Sequence, residues 1–389
     1  MMPYVILLVA AGALGFGLCE YKPTKQKELL YLIIMTVVMC AMVICRGENV
    51  GIDYDFIYRD IFLSINNNNN LGYLLSPANS YRTEPLFVLV NMVCAAVSDS
   101  PMFCFAVFGV LIIVLRIVFI AKYSPKSWIS LYFYISFGLF SYTMCTTRQE
   151  LAISIAMFAL PYIMDRKPIP YFVIIIAAGL MHNSLLMLLP LYWIVLIPPT
   201  KKWAIGLYSG GLLFLLLFSH DVIYWFTGIF KRFSYYHEGS GTFYLLGRPV
   251  ITVIAFVAVM VVCCFFYKRI VEADSRNMIL FNLYLFGTLV MIPVVKNFIF
   301  QRVAHMLLPF AIMLIAVIMA SVDFRSSELA ASDKKLPNNK RYELKKKADD
   351  DKRMYYSILA LFMFIGALEY FMQMNTNRLD LVPYVTFWM

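Results

Sequence analysis

Charge is what this chain has least of. Only 14% of its 389 residues are Asp, Glu, Lys or Arg, while 61% are hydrophobic. A soluble domain has no use for so much apolar surface. Acidic residues are the scarcer sign, 23 against 33 basic, for a net charge of +10. That excess does not point to nucleic acid. Most of it falls in short loops between apolar runs, where it sets membrane orientation. Histidine is rare, with four residues, and the eight cysteines show no metal-site spacing. Cys263-Cys264, in mid-run, reads as packing rather than chemistry. There is no Walker loop, no dinucleotide fingerprint and no HExxH zinc motif, so neither ATP use, a metal nor any other cofactor is expected.

What is present is a series of runs without charge: 29–45, 128–147, 249–267, 278–295 and 303–322. Each is close to the roughly 20 residues a helix needs to cross the hydrocarbon layer. The runs are continuous rather than alternating, which excludes a β-barrel. The pattern predicts an all-α polytopic protein, a single integral-membrane domain over 1–389. About twelve crossings are expected, with a short re-entrant or interfacial helix near 84–97. The first 19 residues lack a basic n-region and a cleavage site, and read as a retained helix. Lysine and arginine placement puts 322–353 inside as a charged loop, with 46–83 and 219–248 outside. Residues 170–197 read as a tight helical hairpin with His182 near its tip.

The chain is organised around Tyr142-Thr143-Met144-Cys145-Thr146-Thr147-Arg148-Gln149-Glu150. This stretch joins two apolar runs, so it lies at a membrane face. Thr147 and Glu150 have the spacing of a capping box. Arg148 and Gln149 then fall in the first turn of a helix, whose free N–H groups and dipole already favour anions. Arginine adds a planar donor fork suited to phosphate. Ala152, Ala156 and Ala159 give that helix a small-residue face for close packing.

Polar residues gather on the predicted outer face. Arg46, Arg148 and Arg302, with Gln149, can clamp a diphosphate; equally, Arg46 can pair with Glu48 and Arg148 with Glu150. Asp53, Asp55, Glu84 and His182 are candidate acid–base groups. Each has a plain alternative: a polar helix face for the aspartates, a cap for Glu84, a satisfied buried imidazole for His182. Tyr54 and Tyr58 are candidate sugar contacts. His305 reads as packed, and Arg116 as close enough to the inner face to snorkel.

Arg46-Gly47, Asp53-Tyr54-Asp55…Tyr58, Glu84-Pro85-Leu86-Phe87, Arg148-Gln149-Glu150-Leu151-Ala152, His182-Asn183-Ser184, the late Arg302 and Pro383-Tyr384 follow one another in order. In this order the chain resembles the EpsG/Wzy-type polysaccharide polymerases of bacterial surface-glycan assembly, over nearly its whole length. The resemblance implies a fold akin to the integral-membrane, GT-C-like glycosyltransferases, in the bacterial cytoplasmic membrane. It implies joining of oligosaccharide repeat units carried on undecaprenyl diphosphate at the outer face, without metal or nucleotide. A chain-length-regulating protein is a further implied partner. Two other readings remain: a flippase or exporter of the same lipid-linked units, and a transferase adding one sugar from a polyprenyl-phosphate donor. Glu150 departs from the pattern, since a small or apolar residue is expected after Gln149.

Overall fold

A computed structural model describes residues 1–21, 23–54, 58–229, 250–295, 299–332 and 337–388. Among these residues every regular element is a helix, and the sole β contact is a bridge between Arg46 and Thr386. In chain order, α1 (Met2–Leu14) runs into a π-helical turn over Gly15–Glu20, and α2 (Lys25–Ile44) returns. The short α3 (Arg59–Asn67) and α4 (Pro85–Ala95) precede the long α5 (Pro101–Tyr123). Then come α6 (Ser127–Ser136), α7 (Leu139–Thr143), α8 (Thr147–Met157), α9 (Leu160–Met164) and α10 (Pro168–Met181). A 3-10 segment, Asn183–Leu188, leads to α11 (Leu191–Ile194) and to α12 (Lys202–Ile229), kinked at Phe218. The remainder is α13 (Val250–Ala273), α14 (Asn277–Met291), α15 (Ile299–His305), α16 (Pro309–Ser321), α17 (Arg325–Ala331) and α18 (Asn338–Thr376).

Seven helices among the described residues are long and apolar enough to cross a membrane: Met2–Glu20, Lys25–Ile44, Pro101–Tyr123, Val250–Ala273, Asn277–Val295, Phe310–Ala331 and Asn339–Thr376. The protein is a multi-pass membrane protein. Four shorter apolar helices lie beside these, Pro85–Ala95, Pro168–Met181, Asn183–Ile194 and Lys202–Phe218. The expectation of about twelve crossings counts each apolar run once, and several runs are broken. Run 128–147 breaks at Gly138, whose φ of +71° starts α7 in the left-handed region. A side chain is strained at that φ, and a Cβ there would meet the Gln373 amide at 2.0 Å. The run after Arg148 breaks before Pro161, and the run from 303 breaks before Pro309; proline cannot continue the ladder of the preceding turn. The segment 322–353 is not an open loop either. Its described residues largely form α17 and the first turns of α18, packed on each other and tied by Lys352 and Glu328 at 2.9 Å.

The antiparallel pair α2 and α5 defines two poles. At one, Glu20 meets Arg325 at 2.5 Å, Lys126 meets Asp323 at 2.7 Å, and the Ser127 amide donates to Glu28. At the other, the end of α2 meets the end of the chain. Gly47 N donates to Val385 O at 2.7 Å and Phe387 N to Cys45 O at 3.1 Å. Gly51 N and Ile52 N donate to Asp380 O and Leu379 O. Gly51, at φ +100°, lies against the Met144 carbonyl, which a Cβ would meet at 2.3 Å. Only glycine allows that approach.

Candidate active site

Pro85 occupies the first turn of α4, where its missing N–H is not needed. This leaves Glu84 as the N-cap residue, yet its side chain makes no capping bond. The carboxylate reaches outward instead. Arg148 Nη1 donates to Oε2 at 3.0 Å, His182 Nδ1 lies 3.1 Å from Oε1, and the Asn183 amide donates to Oε1 at 3.1 Å. The Glu84 side chain is 2% exposed, while those of Arg148 and His182 are 16% and 15% exposed. A buried anion therefore holds two cationic or polar groups at a rim open to solvent. Burial alone would raise the Glu84 pKa. The hydrogen bond from His182, the charge of Arg148 and the Asn183 amide outweigh it and hold Glu84 at about 2. Burial pushes His182 below its ordinary value, aided by Arg148 and Arg302 and opposed by Glu84. The neutral ring then donates Nδ1–H to Glu84, which leaves Nε2 as a proton acceptor.

Arg148 projects from the start of α8, with its amide donating to the Tyr58 hydroxyl at 3.2 Å. Its guanidinium lies over the rings of Tyr81, at 4.9 Å, and Phe87, at 5.2 Å. Such stacking fixes the plane of the fork. Nε is buried without a hydrogen-bond partner among the described residues. Arg302 arrives on α15, whose position is set by Gln149 Nε2 donating to the Arg302 carbonyl at 2.9 Å. Asp53 lies within the field of both arginines; burial raises its pKa and they oppose the rise. Glu84, His182, Arg148, Arg302 and Asp53 thus gather at one pole.

Other candidates do not join them. Arg46 is fully buried. Its Nη1 donates to the carbonyls of Val50 and of Met144, and its guanidinium lies 3.6 Å from the centroid of Phe105. It braces the backbone beneath the site rather than facing a diphosphate, and it does not use Glu48 for this. Tyr54 is also fully buried, edge-on to Phe105, so it offers no face to a sugar. Tyr58 is half-buried, packed edge-on against Phe87 and Phe105. The amide of Gln149, 5% exposed, is used on Arg302 and places that arginine instead of contacting a ligand. Asp55 lies outside the described residues.

Glu150 is not a cap. α8 starts after Thr146 with no side-chain cap, and Glu150 turns inward. Its Oε2 meets Arg116 Nη2 at 2.5 Å, and its Oε1 lies 2.6 Å from His305 Nε2. Arg116 also donates from Nε to Ser154 at 3.0 Å. Arg116 does not snorkel; both it and Glu150 are wholly buried. The Tyr142 ring covers His305 at 4.1 Å. This second cluster ties α5, α8 and α15 together directly below the two arginine-bearing turns. Ala152 and Ala156 are buried, and α8 packs against α5 and α10. Sequence reasoning missed Tyr81 as the platform for Arg148, and no local signal marks it out. It also missed Thr252, Glu369 and Arg378, whose neighbours in space are far away in sequence.

No curated protein and no solved structure matches the chain. A family comparison does. Residues 29–331, which carry every residue of the rim cluster, match the EpsG family, and the chain belongs to that family.

Proposed function

We propose that the protein is a membrane glycosyltransferase that polymerises lipid-linked oligosaccharides. It joins repeat units carried on undecaprenyl diphosphate at the outer face of the bacterial cytoplasmic membrane. The observation that carries this reading is the convergence of Arg148 and Arg302 beside the Glu84–His182 pair. The energy for transfer lies in the sugar–diphosphate bond. As the anomeric carbon–oxygen bond breaks, negative charge grows on the departing diphosphate. Two guanidiniums held in place before the reaction stabilise that charge. The attacking hydroxyl of the next unit loses its proton to His182 Nε2 as its oxygen bonds the anomeric carbon. Glu84 holds the ring through Nδ1 and stabilises the imidazolium that forms. Asp53, close to both arginines, balances their charge when the product lipid diphosphate leaves.

A deletion strain tests the reading. The expected result is lipid carrying one repeat unit on the outer leaflet, with no long chains, read by labelling of outer-leaflet glycolipid and by glycan gels. Units trapped on the inner leaflet would identify a flippase. Long chains lacking one branch sugar would identify a single-sugar transferase.

A further inference from the structure

Beside the rim cluster an open cavity of about 170 Å³ lies between the start of α13 and the end of α18. That volume has room for a single ring. Tyr142, Thr252, Gln301, Gln373 and Arg378 supply its polar lining. We propose that this cavity is a saccharide subsite that takes a hydroxyl-bearing ring of the lipid-linked substrate; the proposal rests on the polymerase reading above.

Three observations carry it. The first is position. Gln301 precedes Arg302, and its Nε2 donates to the Tyr142 hydroxyl at 2.6 Å. Leu379, in the cavity wall, accepts from the amide of Ile52, next to Asp53. The cavity therefore adjoins the turns that carry Arg302 and Asp53. The second is the mix of hydrogen-bonding groups. Thr252 Oγ1 donates to Glu369 Oε1 at 2.7 Å, so its hydroxyl offers only lone pairs to an incoming group. The Gln373 amide and the Arg378 guanidinium carry N–H donors. Sugar hydroxyls both donate and accept, and match a wall that does the same. A diphosphate fits this wall less well, because Arg378 is the one cation among its described lining residues. The third is a buried deficit. Gln373, in the cavity wall, keeps Oε1 buried without a hydrogen-bond partner among the described residues. Acceptors buried in this way cost free energy unless a donor is supplied.

The test uses the full-length protein in lipid nanodiscs. The probe is the repeat-unit oligosaccharide released by acid from the host cell's own surface polysaccharide, free of lipid and phosphate. Binding is read by saturation-transfer NMR and competition. Wild type binds saturably; Thr252→Val and Gln373→Leu each weaken binding at least about tenfold, the scale of one hydrogen bond. Thr252→Ser, which keeps the hydroxyl, binds like wild type, and Arg148→Ala also binds the free saccharide normally. Wild-type affinity in both cavity variants overturns the proposal. So does absence of saccharide binding in a wild-type protein that still takes up undecaprenyl diphosphate through Arg148, a result that leaves the polymerase reading standing. Failure to bind either molecule removes both.

Discussion

The molecule builds the same trio of side chains twice. At the rim, Glu84 joins Arg148 and His182; inside, Glu150 joins Arg116 and His305. In each, one carboxylate oxygen faces the guanidinium and the other faces the imidazole. The difference is access. Arg148 and His182 keep 16% and 15% of their side-chain surface, while Arg116 and Glu150 keep none. Residue types alone therefore do not mark a reactive centre. In the open trio the imidazole has a ring nitrogen free of Glu84, and the arginine has a donor left over. The closed trio also leaves a guanidinium nitrogen over, Arg116 Nη1, but seals it from solvent, and serves as a fastener between helices.

The comparison can be broken in graded steps. Arg148→Ala is expected to have the largest effect on activity. Polymer should fall by about 10²–10³-fold or more, with membrane insertion unchanged, read by glycan gels and by blotting of membrane fractions. Full activity would remove the phosphate role. Glu150→Ala is expected to act on stability instead. It leaves Arg116 buried without its carboxylate, a loss of about 3–5 kcal/mol. The readout is the melting temperature in detergent and the amount of protein in the membrane. Replacing the inner trio together, Arg116→Met with Glu150→Leu and His305→Phe, should restore most of that stability, because apolar groups of similar volume can substitute for a buried ionic cluster. The matching replacement at the rim should restore nothing in activity.

Acid–base behaviour sharpens the contrast further. His182 works as a base only when neutral, so the rate falls as pH drops through its pKa. That pKa is lowered by burial and by Arg148 and Arg302, and is supported by Glu84. The acid limb of the wild-type pH–rate profile should therefore lie below the ordinary histidine value. Glu84→Gln removes the group that favours the imidazolium, so the limb should move to still lower pH while the maximal rate drops. A limb that stays in place would remove His182 as the base. The smallest effect is expected for Asp53→Asn, a change of several-fold in turnover measured on purified lipid-linked substrate, since its charge acts on the arginines without touching the transferred sugar in this reading.

Much of this could be read from the chain alone. Charge-free runs gave the membrane class, because burying an unpaired charge in hydrocarbon is prohibitive. Polar residues at the ends of those runs gave Glu84, Arg148, His182 and Arg302, which the fold gathers at one pole. What local sequence could not give were partners. Thr147 and Glu150 match a capping box three residues apart, yet Arg116 lies 34 residues from Glu150 and outcompetes the cap. Arg46 has Glu48 two positions away but takes the carbonyl of Met144, 98 residues on. Helix continuity was also hidden. A hydropathy run passes through Gly138 without a mark, while the backbone turns there to accept the Gln373 side chain from α18.

The strap of main-chain bonds between 45–52 and 379–387 has a consequence for biogenesis. Tyr384 reaches Met42 across 342 positions of sequence, through its hydroxyl and the Met42 carbonyl at 2.8 Å. The floor under Asp53 is thus completed only when α18 has been inserted and the segment after it has folded back. A nascent chain halted before α18 already carries Glu84, Arg148, His182 and Arg302 but lacks that floor. Such an intermediate has the rim residues but not the main-chain bonds from Asp380 and Leu379 that fix Gly51 and Ile52 beside Asp53.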